Sequence, residues 1–186
     1  ASYGVAVGTD ALTANTTGLR NTGLGYGTLV ANTTGNNNTA IGFEALKANT
    51  TRSESVAVGS YCLTANTTGQ YNTGLGIQAL YANTTGSNNI AIGYGALDAN
   101  TTTSRNIAIG TDALGVNSGG AENVAIGYNA LDTNSTGNRN TSLGDASMDA
   151  NTTGSDNTAV GQQALTANTT ANHNTAIGKL ALGANT

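Results

Sequence analysis

Asn38-Thr39-Ala40-Ile41-Gly42-Phe43-Glu44-Ala45-Leu46-Lys47-Ala48-Asn49-Thr50-Thr51 is the stretch from which the rest of the chain can be read. Its pattern returns every 17 residues without insertion or deletion. The glycine recurs at Gly8, Gly25, Gly42, Gly59, Gly76, Gly93, Gly110, Gly127, Gly144, Gly161 and Gly178. An asparagine recurs with it at Asn15, Asn32, Asn49, Asn66, Asn83, Asn100, Asn117, Asn134, Asn151, Asn168 and Asn185. A fixed period over the whole length is the mark of a repeat architecture, in which each unit stacks on the last.

Each column of the repeat has its own chemistry. The residue before the glycine is always aliphatic, from Val7 to Ile177, and is here called the aliphatic column. The residue before that is small: Ala, Gly or Ser. Four residues after the glycine stands Leu, replaced once by Met148. The positions just after the glycine vary and, with the two before the next Asn-Thr-Ala-Ile-Gly, hold most of the charge. Columns that vary suit solvent, and columns that do not suit packing. No segment sustains the apolar spacing of a helix beyond about one turn, and a unit rich in Gly, Asn and Thr has weak helix propensity. A short β-branched run bounded by Gly and Asn-Thr-Thr-Gly reads instead as a strand between corners. The expectation is an all-β fold, a β-solenoid of eleven 17-residue coils forming one unit over residues 1–186. At about 4.8 Å per coil it makes a rod about 53 Å long.

Two expectations concern the interior. Strand alternation puts the aliphatic residue on one face and the small residue on the other. With the bulky residue inward beside Leu, Ala6, Ala40, Ala57, Ala91, Ala108, Ala125, Ala159 and Ala176 become a candidate interface. A column kept small suits close approach of a flat partner: another chain, the opposite wall of a thin coil, or an ordered surface. The asparagine column reads as an internal ladder, each amide bonding the next, as stacked Asn residues do. Asn-Thr-Thr is also a glycosylation sequon, but an Asn in an internal ladder is closed to glycan.

Composition narrows the function. The chain carries 9 % charged residues, a net charge of −4 and only six Lys and Arg. That argues against nucleic acid and anionic membranes as partners, and no apolar run approaches the roughly 18 residues of a membrane span. Cys62, the one cysteine, excludes an internal disulfide framework. His173 has no second histidine to share a metal. Asp98, Asp132 and Asp149 share one column but read as a solvated acidic edge rather than a calcium site. Paired carboxylates recur nowhere, so no enzyme, metal site or cofactor is expected. Tyr26, Phe43, Tyr94 and Tyr128, just after the glycine, are candidate partner contacts, since Tyr favours interfaces.

Asn38-Thr39-Ala40-Ile41-Gly42, Ile90-Ala91-Ile92-Gly93 and Asn123-Val124-Ala125-Ile126-Gly127 resemble the repeats of trimeric autotransporter adhesin heads. The fuller unit resembles repeats in phage tail-fibre and related bacterial fibre proteins. The resemblance implies a solenoid of three chains side by side, serving adhesion on a cell or virion surface. It also implies Ala40, Ala91 and Ala125 as packing positions and Ile41, Ile92 and Ile126 as core. The coil here is longer than the adhesin-head unit. Neither end departs from the consensus, which suggests an excerpt of a longer fibre or a unit that stacks end to end.

The leading expectation is therefore a structural segment of an extracellular or virion fibre, a homotrimer or end-to-end filament, with a cell-surface receptor or glycan as its further partner. The alternative is an ice-binding solenoid using the Thr columns of Asn-Thr-Thr and the Thr that opens each strand. Val5, Val56, Ile90, Ile107 and Val124 at that last position count against it if they are core.

Overall fold

A computed structural model describes residues 4–184. It contains eleven three-residue strands: β1 (Val5–Val7), β2 (Thr22–Leu24), β3 (Thr39–Ile41), β4 (Val56–Val58), β5 (Thr73–Leu75), β6 (Ile90–Ile92), β7 (Ile107–Ile109), β8 (Val124–Ile126), β9 (Thr141–Leu143), β10 (Thr158–Val160) and β11 (Thr175–Ile177). All lie parallel in one sheet, in chain order. Ile90 pairs with Ile107 and Ile92 with Ile109, so each strand meets the next one full repeat away. The molecule is a β-solenoid with roughly 17 residues per turn.

Glycine closes each strand because nothing else fits there. Its φ lies between 121° and 143° in every coil, a region closed to L side chains. From Gly8 to Gly161 an added Cβ would also run into the backbone of the next coil's glycine. The chain then turns sharply through the leucine column, where every Leu and Met148 has φ between 49° and 56°. A left-handed L-residue costs about 1–2 kcal/mol. Burial of the same side chain contributes about 1.5–3 kcal/mol, so from Leu29 to Leu165 each residue of the column is kept in its strained turn by its own place in the core. Leu29 through Leu165, with Met148, are fully buried.

The rest of the core is thin. Ala40, Ala57, Ala91, Ala108, Ala125 and Ala159 are completely buried, as are Ala45, Ala79, Ala96, Ala113, Ala130 and Ala164 from the turn opposite. Cys62 fills one of these small positions. The small column therefore faces inward, and the expectation of an interface at these alanines is overturned. Ala176 is 2 % exposed, and only Ala6, in the strand at the sheet's end, is open. Alternation then forces the aliphatic column outward. Ile41, Ile92 and Ile126, expected in the core, are only half-buried, while Leu24, Leu75 and Leu143 are exposed at 44–47 %. The physical reason is volume: each coil has room for one Leu, and the strand backing it must bring small side chains.

Candidate functional surfaces

Two polar ladders run inside the rod. In the asparagine column, Asn32 Nδ2 donates to Asn15 Oδ1 at 2.9 Å and Asn49 Nδ2 to Asn32 Oδ1 at 2.9 Å. The same bond links Asn83 to Asn66, Asn100 to Asn83, Asn134 to Asn117, Asn151 to Asn134 and Asn168 to Asn151. The second proton on Nδ2 goes to the carbonyl three residues on, as from Asn134 to Gly137 at 3.0 Å. From Asn32 to Asn168 the column is fully buried, Asn15 is partly so, and Asn185 lies outside the described residues. A buried amide offers no nitrogen to a glycan-transferring enzyme, so in the folded rod the sequons of this column are closed from Asn32 to Asn168.

The second ladder escaped the reading of the sequence. Asn21, Asn38, Asn72, Asn89, Asn106, Asn123, Asn140 and Asn157, just before the strands, are buried as deeply. From Asn38 onward each backbone N–H donates to the side-chain oxygen one coil back, as Asn106 to Asn89 Oδ1 and Asn123 to Asn106 Oδ1. Each Nδ2 donates onward, Asn106 to the Gly120 carbonyl at 3.0 Å. The signal was present in the first letter of Asn-Thr-Ala-Ile-Gly. Ser55 stands there in one coil, which hid the column's constancy.

On the outside, two columns of each strand form an unbroken face. The aliphatic column is joined by the strand-opening residues, Thr in six strands and Val or Ile in five. Val56 is 39 % exposed, and Ile90, Ile107 and Val124 are half-buried on the surface. Next to this face, Tyr26, Phe43, Tyr94 and Tyr128 are 41–57 % exposed. Tyr26 stacks on Phe43 with centroids 5.1 Å apart, and Phe43 meets Tyr61 edge-on at 5.2 Å. The structure thus places the four rings on the surface in two sets, Tyr26 with Phe43 and, further along, Tyr94 and Tyr128.

The Thr columns of Asn-Thr-Thr behave differently from each other. The first hydroxyl is used within the rod: Thr16 Oγ1 donates to the Thr33 carbonyl at 3.0 Å and Thr67 Oγ1 to Thr84 at 3.1 Å. The second, at Thr17, Thr34, Thr51, Thr68 and Thr85, is exposed.

Charged groups are sparse and local. Arg105 pairs with Glu122 at 2.6 Å and Arg139 with Asp156 at 2.7 Å, each across one coil. The Arg139 guanidinium holds the Asp156 carboxyl below the usual carboxylate range. Asp98 and Asp132 move the other way: burial raises both, and for Asp132 the charges of Asp112, Asp98 and Asp149 add to it. Asp149 is engaged by Thr166 Oγ1 at 2.6 Å. Among the described residues no group of three or more His, Cys, Asp or Glu is arranged to hold a metal ion. His173 is exposed, in the column that carries the ion pairs.

The architecture places the chain among β-solenoid repeat proteins. No protein-family model, curated protein or solved structure matches it.

Proposed function

We propose that the chain is a structural segment of an extracellular or virion fibre, whose outward strand face is covered by further copies of itself. The observation that carries this reading is the aliphatic column, present in all eleven strands and turned to the outside. Eleven strands at about 4.8 Å, each three residues of about 3.3 Å wide, give a face of about 500 Å² in projection. Soluble monomers rarely leave contiguous apolar patches above a few hundred Å², and a stable interface takes about 800 Å² from each partner. Side chains standing on the face, with Tyr94 and Tyr128 at its margin, supply the difference. A three-fold bundle would turn this one face of each chain toward a common axis and both neighbours, as the resemblance to trimeric fibre repeats implies. The stacked rings of Tyr26 and Phe43 are then left for a receptor or glycan.

The test is solution mass by light scattering after size exclusion. A species near three times 18.4 kDa, or a filament, is expected. Ile92→Ser with Ile109→Ser should dissociate it while the circular dichroism of the fold persists. A stable monomer of 18.4 kDa with no concentration dependence would overturn the reading.

One observation favours ice binding as a second reading. Val56, Ile90, Ile107 and Val124 are on the surface rather than in the core, so the objection to a Thr/Val plane at the strand-opening column falls away. That plane holds Thr22, Thr39, Thr73, Thr141, Thr158 and Thr175 on a flat, uncharged parallel sheet. Thermal hysteresis at millimolar protein that is lost in Thr39→Lys and Thr158→Lys would support it. Freezing at the melting point would exclude it.

A further inference from the structure

The corner three residues beyond each ladder asparagine is glycine in most coils: Gly18, Gly35, Gly69, Gly86, Gly120, Gly137 and Gly154. It is buried and in contact on two sides. A Cβ added at Gly35, Gly69, Gly86 or Gly137 would collide with the next corner's carbonyl oxygen and with the coil's own asparagine Oδ1. Three coils nevertheless carry a side chain there: Arg52, Thr103 and Ala171. The described residues hold no further corner beyond Ala171. Arg52 and Thr103 each have a coil to collide with.

At those two corners, alone among the described corners that have a described coil after them, the regular bonds of the Asn-Thr-Thr amides are missing. Elsewhere the two Thr amides of Asn-Thr-Thr donate to the next coil's first Thr: Thr33 and Thr34 to Thr50, Thr67 and Thr68 to Thr84, Thr84 and Thr85 to Thr101. Neither Thr50 and Thr51 nor Thr101 and Thr102 makes this bond. The hydroxyl bond seen from Thr33 to Thr50 and from Thr84 to Thr101 is also absent from Thr50 and Thr101. The ladder itself breaks between Asn49 and Asn66, leaving Asn49 Oδ1 buried without a partner, and stretches to 3.4 Å between Asn100 and Asn117. On the strand side nothing changes: β3 to β4 and β6 to β7 keep full register. Leu46 N–H still reaches the Cys62 carbonyl at 3.1 Å, and Leu97 the Ala113 carbonyl at 3.1 Å.

We infer that Arg52 and Thr103 are built-in opening points. Each wedges one corner of the rod apart while the opposite sheet holds, so the rod divides into three stacked blocks that flex at two hinges. The two are unequal. Thr103 Oγ1 partly refills its gap by accepting from Asn106 Nδ2 at 3.1 Å and Asn117 Nδ2 at 3.3 Å. Arg52 projects to solvent and refills nothing, so its corner is the looser one.

Amide hydrogen exchange on the full chain tests this, because local opening is what exchange reads. With two or three bonds missing at this corner, Thr50 and Thr51 should exchange at least about tenfold faster than Thr33 and Thr34. Thr101 and Thr102 should fall between. Arg52→Gly and Thr103→Gly should slow their own corners to the rate of Thr84, and Gly86→Thr should open a new corner at Thr84 and Thr85. Trypsin should cleave after Arg52 before it cleaves after Arg105 or Arg139, whose amides are bonded across the coil. Equal protection along the whole Thr column, or an Arg52→Gly variant with unchanged exchange at Thr50, would overturn the inference.

Discussion

Gly74 and Cys62 are a matched pair, and breaking the match has a calculable consequence. Both lie in the core, Gly74 in β5 and Cys62 in the turn one coil earlier. A Cβ placed on Gly74 would overlap the Cys62 sulfur and sit 3.5 Å from Leu63 Cδ1. Cys62 and Leu63 are themselves 0 % exposed, so neither has free space to retreat into. Overpacking of this kind costs about 1–3 kcal/mol. Replacing glycine also removes unfolded-state freedom, which stabilises by about 0.4–1 kcal/mol. Gly74→Ala should therefore destabilise by a net of about 0.5–2 kcal/mol. Cys62→Ala alone loses about one buried heavy atom, close to 0.8 kcal/mol. The double variant recreates the arrangement of Ala91 over Ala79, both fully buried in an unstrained coil. It should match or exceed the parent in stability, giving a favourable coupling of about 1.3–2.8 kcal/mol or more. Urea unfolding of the four proteins at one fixed concentration measures it, since association would otherwise shift the midpoints. Effects that add to within about 0.5 kcal/mol, or a Gly74→Ala variant that is stabilised by itself, would refute the size-matching argument.

Asn134→Ala removes the donor to Asn117 Oδ1 and Gly137 O and the acceptor for Asn151; with about 1–3 kcal/mol for each buried group left unpaired, its urea midpoint should fall further than that of any surface Thr17→Ala control. Burial pushes the Cys62 thiol up to about 12, so a disulfide reagent at mildly alkaline pH should label it only when the chain unfolds. Asp98 and Asp132 bind their protons more tightly folded than unfolded, so their ionisation costs stability as the pH rises above the unfolded carboxylate value of about 4. Asp132→Asn should remove part of that loss and raise the urea midpoint at neutral pH while leaving it nearly unchanged in acid. Asp156 has the opposite sign: its bond to Arg139 contributes above that value and is lost as the pH falls through the folded pKa, a small effect because the pair is exposed.

The period, the parallel stacking and the internal asparagine column were all legible because each leaves an invariant letter. The glycine at 8, 25, 42 and onward is fixed by a dihedral angle and by contact with its neighbour, so no substitute is tolerated and none occurs. The second ladder was harder to see because Ser55 can stand in it, its hydroxyl reached by the Asn72 amide at 3.4 Å. The opening points at Arg52 and Thr103 were also written in the sequence, as two lost glycines. Their meaning depends on knowing that the corner faces inward, which no single repeat reveals.

The inversion of the strand faces has a more general cause. Alternation divides a strand into two sets but does not say which is inside, and size is the usual guide. That guide assumes an interior large enough for the larger set. Here the leucine of the opposite turn, held at a left-handed φ, already occupies the space a coil encloses. Backing it with Ile109 instead of Ala108 would demand a volume the neighbouring coils, fixed at strand spacing, cannot yield. The constraint on the small column is thus steric and internal, which is why Gly74 can offset Cys62 and why Ser142 hydrogen-bonds to Ser147 across the same gap. The aliphatic column is constrained by something else. It changes freely among Val, Leu and Ile, as a surface that must stay apolar without a fixed shape would. A face of that kind, uncharged along all eleven strands, is what the proposed packing of further copies of the rod would require.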